Sequence, residues 1–290
     1  MKKDSVYIKT FILLWITILL FISIALSFID KTFGNAYKVP VMVICCILSL
    51  PATYIILKLM LAKSSKKPLS VTYTELMNEL QENGITDHLL ELADRGITEV
   101  GSSAGDFVYL KMFAIAGCEY YIWKQDNDRA LQYINLIDIK KIKGGDLSFL
   151  DGGVSVVSYF TAQMELSMAM KDPERANNVL ADGKPFLDKF YGKKEALDGM
   201  IDSVWFMYHY VLQDYAQASM HAQKIINNKV YKDEKSTIGY VSMAMVCKKT
   251  GDDEGAARLM ADAHRLAEES GKALNRQNLE SYYREFPESF

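Results

Sequence analysis

The chain is poor in the residues that most often carry chemistry. Its 290 residues include four cysteines, four histidines and six prolines. The cysteines stand at 45, 46, 118 and 247, with no C-x-x-C and no ligand spacing. Neither a disulfide framework nor a zinc site is therefore expected to hold the fold. His88, His209, His221 and His264 form no H-E-x-x-H. His264 and Glu268 lie one helical turn apart, which suits a metal pair but is also the spacing of an ordinary solvated helix face. The glycine pairs Gly144-Gly145 and Gly152-Gly153 lack both the lysine of a phosphate loop and the frame of a dinucleotide fingerprint. There is no G-x-S-x-G. These absences predict no enzyme activity, no catalytic residue, no metal and no cofactor. No N-x-S/T acceptor occurs either, in keeping with a cytoplasmic domain.

Long uncharged runs, by contrast, are present. Thr10 to Ile29 spans 20 residues without a charge, and Val39 to Leu57 spans 19. At about 1.5 Å per residue each covers a hydrocarbon core of roughly 30 Å. The sequence predicts a transmembrane hairpin over residues 1–62, with spans at 10–29 and 39–57. Pro51 reads as a kink in the second span. A cleaved signal peptide would explain Lys2, Lys3 and the small residues Ala25 and Ser27, but its apolar region runs only about 7–15 residues. Lys2, Lys3 and Lys9 precede the hairpin, and Lys58, Lys63, Lys66 and Lys67 follow it, against Lys31 and Lys38 in the turn. That bias places both termini, and everything after the hairpin, on the cytoplasmic side. Residues 63–71 read as a basic juxtamembrane linker.

The net charge is −3; the first 62 residues hold six lysines and two acids, leaving 27 basic and 34 acidic residues, or −7, in the remainder. An acidic domain is a poor phosphate binder, so nucleic acid is not an expected partner. From Thr72 onward the apolar spacing is helical. Thr72 to Gly96 reads as a short hairpin with stops at Asn83-Gly84 and Arg95-Gly96. Val154 to Phe160 is rich in β-formers but runs into a strong helix former, so the whole stretch to Met170 reads as one helix.

Four times an Asp precedes an Ala by four residues: Asp126/Ala130, Asp172/Ala176, Asp214/Ala218 and Asp252/Ala256. Asp is a strong N-cap, and Pro173 fits the first helical position after Asp172. Before each Asp lies a helical stretch rich in aromatics and Met: Phe107–Lys124, Val154–Met170, Leu197–Leu212 and Thr237–Lys249. The units recur at 46, 42 and 38 residues.

Helix, tight turn and Ala-bearing helix, with Gly117, Tyr121, Ala130 and Ile134 in order, resembles the tetratricopeptide-repeat family over residues 104–270. The family's period is about 34 and ends in proline, which this chain lacks. The resemblance implies an all-α domain over 72–290, an α-solenoid of helix-turn-helix repeats. It also implies a concave face lined by the first helix of each unit. Seven residues before each Asp that face carries Glu119, Glu165, Met207 and Met245; four before, it carries Ile122, Met168, Tyr210 and Lys248. The expected function is a membrane-anchored scaffold that binds a protein or peptide partner there. The alternative is a tethered regulatory or sensory module with a small ligand among Trp205, Tyr208, His209 and Tyr210.

Overall fold

The structure, a computed structural model, describes residues 69–101, 104–143 and 153–289. The expected spans at 10–29 and 39–57 and most of the linker at 63–71 lie outside them. Among the described residues all regular structure is helical. No helix there is long and apolar enough to cross a membrane.

The helices come in consecutive pairs. α1 (Leu69–Glu82) turns into α2 (Asp87–Glu99), and α3 (Ala104–Trp123) into α4 (Asn127–Ile134), with a short α5 (Ile139–Lys143) after it. α6 (Val154–Ala169) pairs with α7 (Pro173–Phe190), and α8 (Glu195–Val211) with α9 (Tyr215–Asn227), followed by a short α10 (Lys229–Asp233). α11 (Ile238–Thr250) pairs with α12 (Asp253–Ser270). α13 (Ala273–Glu285) and a 3₁₀ turn (Pro287–Ser289) close the described chain. Successive pairs stack through α3 on α6, α6 on α8 and α9 on α11.

The Asp/Ala pairs become four copies of one turn. Each Asp caps the second helix: Asp126 accepts from Arg129 N at 3.1 Å, Asp172 from Arg175 N at 2.9 Å, Asp214 from Gln217 N at 3.2 Å and Asp252 from Gly255 N at 2.8 Å. The residue before each Asp is left-handed: Gln125, Lys171, Gln213 and Gly251 have φ of 60°, 52°, 60° and 83°. Each Asp N–H bonds back to the carbonyl five residues earlier, at Tyr121, Ser167, His209 and Cys247. The left-handed residue's N–H reaches the carbonyl three residues earlier. This Schellman geometry satisfies the last carbonyls of one helix while the Asp side chain satisfies the first amides of the next. Four residues on, Ala130, Ala176, Ala218 and Ala256 are all buried, because a methyl there lets the paired helices approach.

Two expectations about glycine divide. Gly84 ends α1 as predicted, with φ 77°. Gly96 does not end α2, which runs on to Glu99. A Cβ on Gly96 would stand 2.5 Å from the Phe113 ring, so this glycine serves close packing of α3 on α2. Gly117 serves the same end, since a Cβ there would lie 2.1 Å from the ring of Tyr133 on α4.

α13 was not anticipated as an organising element. It packs on α11 and α12 and reaches back to α1. Gln277 clamps the α1–α2 turn, accepting from Ile85 N at 2.9 Å and donating to Ile85 O at 3.1 Å. Asn275 accepts from Thr237 N ahead of α11 at 3.3 Å. Arg284 lies 3.5 Å over the Trp123 ring at the end of α3. Glu285 pairs with Lys171 at 3.2 Å and with Lys249 at 3.0 Å. Tyr282 and Phe286 are buried in the main apolar cluster. α13 thus turns one face to several elements while Arg276, Glu280 and Ser281 on the other face stay exposed.

Two measurements check this reading. Gln213→Gly relieves a left-handed non-glycine and is expected to raise stability by about 1 kcal/mol, whereas Gly251→Ala lowers it by a similar amount; thermal unfolding reports both signs. Phe286→Ala is expected to cost about 3 kcal/mol or more in denaturant unfolding, the penalty of a central core aromatic.

Candidate functional site

The eight predicted face positions separate into two groups. On α8 and α11, Met207, Tyr210 and Met245 are buried at 8%, 7% and 5% exposure. They share one apolar cluster with Tyr282 and Phe286 of α13. Glu285 and Tyr282 are close enough to Tyr210 to raise its phenol further after burial has done so. The Tyr210 hydroxyl has no hydrogen-bond partner. Lys248, one turn further along α11, is half-buried and pairs with Asp253 at 2.7 Å.

On α3 and α6 the positions are less buried, with Ile122 and Met168 packed against the edge of the same apolar cluster. Glu119, Ile122, Glu165 and Met168 are half-buried. The two glutamates meet across the α3–α6 interface. Both carboxyls titrate well above the ordinary glutamate value of 4.5, first because burial penalises the charged form and then, for Glu119, because Glu165 adds a like charge. Both side chains are thus half-buried at the surface of the two helices and partly stripped of water. No hydrogen bond or ion pair to a cation compensates either carboxyl among the described residues. The buried Cys118 thiol beside them is pushed up by burial, then by Glu165 and Glu119. It is therefore protonated and a poor nucleophile.

The aromatic group proposed for a small ligand does not converge on one space. Trp205, His209 and His221 form a stack, with Trp205 to His209 at 5.9 Å and His209 to His221 at 5.7 Å between centroids. Tyr208 turns outward to Asn177 at 2.9 Å. Tyr210 packs on Phe206 and Tyr215 instead. Below the stack, buried Asp202 takes His221 Nδ1 at 2.8 Å and Tyr191 Oη at 3.3 Å. Burial holds the His209 imidazole below its usual value, and the neighbouring His221 pushes it further down. This cluster joins α8 to α9. It has no nucleophile placed against His221.

His264 bonds to Tyr283 Oη at 2.8 Å. Among the described residues no group of three or more His, Cys, Asp or Glu side chains is placed to hold a metal ion.

Sequence reasoning missed α13 as the cover of the α8 and α11 positions. A signal existed: Leu279, Tyr282 and Phe286 fall at helical spacing on one face. What spacing could not show is which helices that face meets. No family model, curated protein or solved structure matches the chain.

The carboxyl pair has a pH signature. A carboxyl whose folded pKa lies above its unfolded value binds more protons in the folded state. Its stability contribution is complete below pH 4.5 and is lost as pH rises through the folded value. Glu165→Gln is therefore expected to raise the Tm at pH 8, on the order of 1 kcal/mol, and to leave it unchanged at pH 4. An unchanged Tm at both pH values would show that the pair is solvated.

Proposed function

We propose that this chain is a membrane-anchored helical-repeat scaffold, tetratricopeptide-like in plan, that docks a protein or peptide partner from the cytoplasm. The observation carrying this reading is the uncompensated pair Glu119/Glu165 at the α3–α6 interface, with half-buried Ile122 and Met168 on the same two helices. Two desolvated carboxyls without a cation are costly to keep. A Lys or Arg of a bound segment would restore their ionised form, while Met and Ile offer an adaptable apolar rim. Paired helices stacked in series supply a rigid wall for such a groove. The two uncharged runs at 10–29 and 39–57 supply the anchor, and the lysine bias supports both ends lying inside.

The docking test is site-directed photo-crosslinking in the full-length chain in its native membrane. A crosslinker replacing Met168 is expected to yield one defined adduct, lost when Glu165→Lys is added. The same group at Met220, exposed on α9, is expected to yield none. Equal adducts from both positions, or none from Met168, would remove the reading. Orientation has its own measurement. With the four native cysteines replaced by serine, Ser65→Cys is expected to resist an impermeant maleimide applied outside intact cells. Labelling from outside would reverse the assigned sidedness.

A further inference from the structure

α4 is only eight residues long, against 18 in α7, 13 in α9 and 18 in α12. Where it stops, the flank of α7 beyond it has no neighbouring helix among the described residues. A cleft of about 370 Å³ opens there, with α6 on one side, α7 on the other and Asn135 and Ile139 at the end left by α4. Volumes of this size suit small-molecule sites.

Two donors in this cleft, Arg175 Nε and the Tyr159 hydroxyl, have no acceptor among the described residues. Arg175 on α7 makes no ion pair among the described residues. The nearby Asp172 carboxylate is engaged by the Arg175 backbone N–H at 2.9 Å, as the helix cap. The guanidinium donates one Nη2 hydrogen bond, to Gln163 Oε1. Its Nε is shielded from solvent and has no acceptor. Gln163 passes the chain on, donating Nε2 to Tyr159 Oη at 2.8 Å. Tyr159 thus accepts through its oxygen and keeps its own proton without an acceptor among the described residues. Gln163 and Tyr159 are 8% and 5% exposed, so the relay is held rigidly in the α6 surface. A buried donor left unmet costs on the order of 1–3 kcal/mol, and an arginine fork is shaped for a planar carboxylate.

The rest of the lining selects the anion. Asp172 and Glu174 also face the cleft, beside Asp182, which has an interaction of its own, so acids outnumber the one arginine in the lining. A dianionic phosphate would meet net repulsion. A single carboxylate carrying its own ammonium would not, because the ammonium answers the surrounding acids. Phe160 and Val179 add apolar wall for a side chain.

We propose that this cleft binds a small zwitterion of the amino-acid class, with its carboxylate on Arg175 and Tyr159 and its ammonium toward Asp172 and Glu174. Neither Glu119 nor Glu165 lines the cleft, and the proposal stands whether or not a partner docks at them.

The experiment is calorimetric titration of the full-length chain in detergent micelles. The probes are the individual proteinogenic amino acids, with acetate, methylamine and inorganic phosphate as separate arms. At least one amino acid is expected to bind saturably with one-to-one stoichiometry, and acetate and methylamine at least about tenfold more weakly. Arg175→Gln is expected to weaken that amino acid about 10- to 100-fold. Tyr159→Phe keeps the ring packing and removes only the hydroxyl; it is expected to weaken binding several-fold while the unliganded melting temperature stays unchanged. Absence of saturable binding by any amino acid at millimolar concentration would overturn the proposal. So would phosphate binding in place of amino acids, or wild-type affinity in both variants.

Discussion

The fold depends on α13. Gln277 holds the α1–α2 turn, Arg284 caps the end of α3, Glu285 ties Lys171 to Lys249, and Tyr282 and Phe286 enter the core. These contacts join residues as far as 192 positions apart. Without them, paired helices would interact only with their immediate neighbours. With them, the first and last described helices share one cooperative unit. Tyr282 and the adjoining Phe286 share the apolar cluster that buries Met207, Tyr210 and Met245, while Glu119, Ile122, Glu165 and Met168 stay half-buried.

The hairpins themselves rest on a local device. A Schellman turn followed at once by an Asp cap ends one helix and starts the next within two residues. It satisfies carbonyls and amides that would otherwise need water. The repeated angle lets a buried alanine sit at the same place in every pair. This uniformity does not extend to helix length, and irregular length has consequences. The short α4 leaves α7 uncovered, and the cleft at Arg175 follows from that.

Among the described residues, two sites combine charge, partial shielding from water and no ion pair: Glu119 with Glu165, and Arg175. Both involve α6. Tyr159 and Gln163 face the outer cleft, while Glu165 turns to α3; two residues of helix rotate a side chain by about 200°. One helix thus presents a carboxyl lacking a cation on one side and supports an arginine lacking an anion on the other. Polar groups kept at such a cost are where a folded domain most often meets its ligands.

Helix positions, caps and turns were legible in the sequence because they depend on neighbours within a few residues. Asp126, Asp172, Asp214 and Asp252 cap as expected, and Val154 to Phe160 is helical despite its β-formers. The candidate face was legible only as a list of positions. Glu119 and Glu165 stand 46 residues apart in the chain, and nothing local to either reports that their carboxyls meet. Arg175 reads as one more surface charge until α4 is seen to stop short beside it. By itself, then, the sequence determined the all-helical pairing, the four identical turns and the alanines at their centres, since hydrogen bonding and sterics within one turn decide these. Tertiary structure alone decided which face α13 buries, which carboxyls lose their water and where a cleft remains. Those outcomes depend on summed packing between segments far apart in the chain, which no local pattern encodes.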